Sequence, residues 1–204
     1  MIKEELLKAF QFRHACKLFD ENKKVSREDL DFILETGRLS PSSFGVEQWK
    51  FLVIDSQEIK NKLKAACYNQ AQLTTCSHAV AILAKIEELS PENDYVRRML
   101  DRYGFGEKEK KGFDDFYSSY YKSIDVTWWS ISQCHIAAAN MMTAAAVIGI
   151  DSCPIGGFDP EQVRNILDVD KNKHEIALIV PFGYRANPQP QKNRLSIEEL
   201  VEYR

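Results

Sequence analysis

Two kinds of hydrophobic patterning share this chain, and their order gives the first outline of a fold. Residues 2–12 set Ile2, Leu6, Leu7 and Phe10 among charges of both signs, an amphipathic pattern that predicts a helix. Further helices are expected over residues 27–36, with Ser26 as N-cap and Asp29 at the third position, and over residues 57–67 behind Ser56. Another is expected to begin at Asp159, with Pro160 at the first helical position, where a missing N–H costs nothing. Residues 50–54, 79–85 and 175–182 are instead short apolar runs rich in Val, Ile, Leu and Phe, which suits the buried strands of a covered sheet. The most apolar stretch, residues 124–150, is interrupted by Asp125, Ser130, Gln133, His135 and Asn140. A membrane-spanning helix needs about 20 mostly apolar residues, so a buried helix is expected there. The strands are irregularly spaced and the long helical stretches are grouped over residues 90–150. The pattern therefore favours an α+β fold, a sheet between helices, over a regular βαβ succession.

Composition narrows this to one globular domain over residues 1–204. A chain of 204 residues buries roughly 70% of the surface its unfolded form exposes. A hydrophobic share of 44% with 28% charged residues excludes a disordered or collagen-like chain. The formal net charge of -3 provides no broad field for nucleic acid or an anionic membrane, so any bound phosphate must be held by a local group of cations. The first ten residues mix charge signs and read as structure, not as a signal peptide. Five cysteines with no Cys-x-x-Cys pair indicate neither a disulfide framework nor a zinc ribbon, and a reducing cytoplasm is expected.

Several chemistries are then set aside. There is no phosphate-binding Gly-x-x-x-x-Gly-Lys-Ser/Thr loop, and Gly104-Phe105-Gly106 lacks the third glycine and the preceding strand of a dinucleotide fingerprint. The histidines at 14, 78, 135 and 174 lack metal-ligand spacing, so no metal site is expected. Ser42 and Ser43 lack the context of a hydrolase nucleophile. Four segments remain. Phe12-Arg13-His14-Ala15-Cys16-Lys17 is a compact cationic cluster; Arg13 suits paired hydrogen bonds to phosphate, and Lys17 is a point charge on a long stem. Residues 38–51 read as a helix exit, the small-residue turn Ser40-Pro41-Ser42-Ser43 and then a strand; the serines and backbone amides could bind an anion or a sugar hydroxyl, or serve only as a turn. Residues 149–160, Gly149-Ile150-Asp151-Ser152-Cys153-Pro154-Ile155-Gly156-Gly157-Phe158-Asp159-Pro160, let backbone approach a flat ligand closely, or simply join a strand to a helix. Lys192-Asn193-Arg194 adds cations near the C-terminus.

In order, spacing and residue type these four segments resemble the nitroreductase family, over residues 13–194. The carrying motifs are Arg-His-x-x-Lys, Ser-Pro-Ser-Ser with Trp49 six residues later, Pro-Ile-x-Gly-Phe-Asp and Lys-x-Arg. The resemblance implies a central mixed sheet flanked by helices in an intertwined homodimer, with two FMN molecules at the interface. It implies NAD(P)H as electron donor and small planar electrophiles, such as nitroaromatics or quinones, as acceptors in a ping-pong cycle. Arg13, Lys192 and Arg194 are then expected at the FMN phosphate, with His14 and Ala15 nearby, and Asn69 at the pyrimidine side of the ring. Lys17 is expected at the flavin N1 and O2 edge as the main electrostatic contributor to catalysis. Pro41, Ser42 and Ser43 line the cofactor in this reading, and Gln133 approaches it from a helix. Pro154, Ile155 and Gly156 cover one ring face, with Gly157 beside them.

The chain departs from the family pattern at Ala15, where serine is common, at Gln72, at Glu47-Gln48 and at Gly156, which bears on cofactor affinity and potential. The aromatic residues between Tyr103 and Trp129 suit either a substrate-stacking wall or core and interface packing. Cys153 suits either a residue tuning the flavin or a small buried hydrophobe. Two alternatives stay open: an FMN protein that stores or senses flavin without turnover, and another flavin reaction on the same fold, such as reductive dehalogenation.

Overall fold

A computed structural model describes residues 2–204. The chain folds as α1 (Ile2–Phe12), α2 (Arg27–Arg38), β1 (Trp49–Ile54), α3 (Gln57–Ala66), α4 (Gln72–Thr75), β2 (His78–Lys85), α5 (Asp94–Asp101), α6 (Glu107–Ser123), α7 (Val126–Val147), β3 (Asp151–Ser152), α8 (Pro160–Leu167), β4 (His174–Gly183) and α9 (Ile197–Leu200). The expected caps form: Ser26 accepts from the Asp29 N–H, Ser56 from Ile59, and Asp159 from Glu161 and Gln162. Each side chain satisfies an N–H that the first helical turn leaves unpaired.

The sheet runs β1-β2-β4-β3, and all three ladders are antiparallel. Parallel pairing, expected within a mixed sheet, enters among the described residues only as the isolated bridge between Ala15 and Ser152. Apolar runs look alike in either direction of pairing, so the sequence carried no signal for this. Along β2, Val80, Ile82 and Ala84 face one layer with residues of α2 and α7, while Ala79, Ala81 and Leu83 face the other with residues of α3 and α8. This is the period of two expected of a strand covered on both sides. A register shift at Ile82/Leu83 adds Ala177 to β4, so Ala177 and Leu178 both join the first layer. β1 lies at the sheet edge and is buried only at its ends, Trp49 and Ile54. α7 packs on the sheet through residues such as Cys134, Ala137, Ala138 and Met141, while its other face keeps Ile136 and Val147 exposed. No helix among the described residues is long and apolar enough to cross a membrane.

A third cluster, Val46, Leu89, Val96, Met99, Tyr117 and Trp129, sits apart from both sheet layers and takes up much of the aromatic stretch. Phe44 lies within it, its ring 5.2–5.6 Å from those of Phe113, Tyr117 and Tyr120. Phe116, Tyr103 and Trp128 stay largely exposed.

Candidate cofactor site

The backbone joins two of the four sequence segments directly. The Cys16 N–H donates to the Ser152 carbonyl at 3.2 Å, which lays residues 14–17 beside β3 and the loop that follows it. Lys17 Nζ consequently reaches Cys153 Sγ at 3.7 Å, and Gln72 Nε2 reaches the same sulfur at 3.7 Å. Burial pushes the Cys153 thiol up, against the pull of Lys17. Gln70 Nε2 donates to the Gly157 carbonyl at 3.0 Å, which holds the turn after α3 against the 153–157 loop. That turn reverses through Tyr68 and Asn69, both at positive φ, and the exposed Asn69 sits at φ 59 in a conformation that asparagine tolerates better than most residues.

Within the loop the roles divide. Ile155 is built into the core, exchanging backbone hydrogen bonds with Ile179 at 2.8 and 3.0 Å. Pro154, Gly156 and Gly157 face outward, and a Cβ placed on Gly156 would meet nothing within 4 Å. The backbone is therefore exposed at Gly156.

The other cations gather at the C-terminal end of α1. Lys192 Nζ donates to the Phe10 carbonyl at 2.8 Å and the Arg13 carbonyl at 2.5 Å, which sets it next to Arg13. Partial burial lowers the Lys192 ammonium, and the neighbouring charges of Arg13 and Arg194 lower it further. Among the described residues, no carboxylate forms an ion pair with Arg13, Lys17, Lys192 or Arg194. His14 differs, with Nδ1 3.5 Å from Asp151 Oδ1. A crevice of about 230 Å³ opens here between residues 14–18 and Asn187, Pro188 and Pro190 of the tail.

The remaining predicted residues form a second, separate group. Gln133 Oε1, on α7, accepts from the Ser43 N–H at 2.9 Å, and Ser42 Oγ accepts from the Glu47 N–H at 3.0 Å. Gln48, in the departure from the family pattern, is fully buried and donates to the Ser43 carbonyl at 3.1 Å. Pro41 is exposed beside them. This turn leads into β1 at Trp49, which pairs with Ala84 and through it with Glu175. The first group lies where Ser152 pairs with Phe182. Seven residue steps along β4 lead from Glu175 to Phe182, about 23 Å at the rise of an extended strand. Within one chain, Pro41, Ser42, Ser43 and Gln133 thus stand at the opposite end of the sheet from Arg13, His14, Ala15, Lys17, Asn69, residues 154–157, Lys192 and Arg194.

Sequence reasoning missed Asp151, Arg185, Gln70 and Gln189. Arg185 binds Asp151 with Nη2 2.7 Å from Oδ1 and Nε 3.0 Å from Oδ2, and no local motif marks a pair 34 residues apart. No group of His, Cys, Asp and Glu among the described residues is arranged to hold a metal ion.

Comparison with known proteins gives a consistent result. The model of the nitroreductase family matches residues 11–184. A protein of Staphylococcus saprophyticus named "Putative NAD(P)H nitroreductase" is 42% identical, over 99% of this chain and 98% of its own. Among solved structures, one described as a putative NAD(P)H:FMN oxidoreductase from Staphylococcus epidermidis superposes with a TM-score of 0.82 at 27% identity, covering 97% of this chain and 95% of its own. Another, a putative nitroreductase in complex with FMN from Exiguobacterium sibiricum, shares the fold with a TM-score of 0.82 at 22% identity, over 98% and 97% of the two chains. The match over most of the chain, together with the whole-length relative, establishes that this chain belongs to the nitroreductase family.

Proposed function

We propose that this protein is an FMN-dependent NAD(P)H oxidoreductase that reduces nitroaromatics, quinones or related small electrophiles, and that it works as a homodimer. The observation that carries the reading is the convergence of Arg13, Lys192 and Arg194, without a carboxylate partner, at the same end of the sheet as Lys17 and the exposed Gly156. Three cations so placed repel one another, and a phosphate between them relieves that repulsion. The names of the S. saprophyticus and S. epidermidis relatives support the donor, and the latter with the E. sibiricum complex supports the cofactor.

In this reading Arg13 and Arg194 hold the phosphate, and Lys192 contributes the ammonium hydrogen that its two carbonyl bonds leave unused. Asn69 and Lys17 serve the ring, and Pro154 and Gly156 give one of its faces a close backbone wall. FMN held by these residues would supply the redox chemistry, hydride acceptance from NAD(P)H and electron delivery to the acceptor. Lys17 places a fixed positive charge where negative charge develops, held at the sulfur of Cys153 and not spent on a carboxylate. Pro41, Ser42, Ser43 and Gln133 lie too far along the sheet to reach the same ring from the same chain. A second copy brings its own set to complete the site.

The test is the anaerobic absorbance spectrum of the purified protein, before and after NADPH or NADH and then after a nitroaromatic or quinone. Flavin bands that bleach with a nicotinamide and return with the acceptor are expected. Bound flavin that never bleaches overturns the enzyme reading, and failure to bind added FMN overturns the cofactor.

A further inference from the structure

The last carbonyls of a helix have no partner within it, and α1 carries no basic residue in its own last turn. The C-terminal tail supplies the missing donors. Lys192 binds the carbonyls of Phe10 and Arg13, Gln189 Nε2 binds that of Gln11 at 2.7 Å, and Arg185 Nη2 approaches that of Phe12 at 3.5 Å. Four consecutive carbonyls, from Phe10 to Arg13, are thereby served by three side chains from the other end of the sequence.

These donors form one network. Arg185 Nη1 donates to Gln189 Oε1 at 2.9 Å, and the Arg185 guanidinium lies 4.0 Å over the Phe12 ring. Arg185 is itself anchored by Asp151, whose side chain is 2% exposed and also accepts from the Arg185 N–H at 2.9 Å. The anchor lies on β3, two residues before Cys153. One network therefore ties the end of α1 and the tail to β3. Like charges at Arg13, Lys192 and Arg194 favour spreading apart, so their spacing depends on this tether and on the negative end of the α1 dipole.

We propose that Arg185 and Gln189 are positioning residues for the phosphate site: by capping α1 from a base at Asp151 they set the spacing of Arg13, Lys192 and Arg194. This rests on the reading that FMN binds here. The network touches the phosphate cations and not the ring contacts, so its loss weakens phosphate recognition selectively.

The experiment titrates the apoprotein with FMN and, separately, with riboflavin, which has the same ring and no phosphate, following flavin fluorescence. Wild type, Gln189→Ala, Arg185→Met and Arg185→Lys are compared. Wild type is expected to prefer FMN, and the variants to lose about tenfold in FMN affinity with riboflavin affinity unchanged, a change of about 1.4 kcal/mol. Arg185→Lys is expected to follow Arg185→Met, because an ammonium keeps the charge without the fork that spans Asp151, Phe12 and Gln189. Gln189→Ala removes no buried charge, so it carries the test even if an Arg185 variant fails to fold. Folded variants that keep the wild-type ratio of FMN to riboflavin affinity overturn the positioning role and leave the cofactor reading standing. A wild type that binds neither flavin, or binds both equally, overturns the phosphate reading itself.

Discussion

Phe44 combines two opposing energies at one residue. It sits at φ 59, in a region that costs a non-glycine residue roughly 1 kcal/mol, and Glu47 at φ 47 repeats the conformation three residues on. Its ring is held by Phe113, Tyr117, Tyr120 and Trp129, the last at 6.1 Å. The packing gain exceeds the backbone cost, and it pins Ser43, whose N–H meets Gln133. Replacing Phe44 by alanine is expected to lower stability by about 3 kcal/mol, measured by urea unfolding. A loss under 1 kcal/mol would show that the aromatic cluster does not hold this turn. At this scale the sequence was informative where a residue's type alone suggests its task. Arg13 and Lys17 are cations four positions apart, whereas Phe44 showed as one aromatic residue among many.

Between elements, the contact of α2 with α7 depends on the absence of a side chain at Gly37. A Cβ there would lie 2.8 Å from Met141 Sδ and 2.9 Å from Phe51 Cζ. Alanine is the better helix former by about 1 kcal/mol, but overpacking a buried contact costs about 1–3 kcal/mol. Gly37→Ala is therefore expected to destabilise, with a lower Tm in calorimetry; a raised Tm would mean that Met141 moves aside freely. The helix starts at Ser26, Ser56 and Asp159 were legible because a cap and the N–H it satisfies lie within three residues. The two-residue β3 was not, because it exists only through pairing with Phe182 and Gly183.

For the whole molecule, burial first of all holds His14, His78 and His174 below the ordinary imidazole value of 6.5. For His14 the Phe12 carbonyl and Asp151 oppose this, while Lys60 reinforces it at His78. Between each folded value and 6.5 the unfolded chain binds protons that the folded chain does not. Stability then rises with pH across that window and is lost as pH falls below 6.5. The Tm is expected to drop between pH 7 and pH 5, and a flat profile would rule out these histidines as the cause. At the same scale, the division of the site between opposite ends of the sheet predicts complementation. Arg13→Ala and Gln133→Ala are each expected to be weakly active. Their mixture, dissociated and reassociated, is expected to regain up to about a quarter of wild-type activity, since half of random dimers are mixed and each has one intact site. No recovery would place each site within one chain.

Most of the elements, the α+β class and the cations of the proposed phosphate site were legible in the sequence, because periodicity, capping and short charge spacings act over a few residues. Tertiary structure decided the antiparallel order of the sheet, the Asp151–Arg185 anchor and the capping of α1 by the tail. It also decided which predicted residues share one end of the sheet. Those features depend on contacts between residues tens to almost two hundred positions apart, and only the topology of the folded chain selects such contacts.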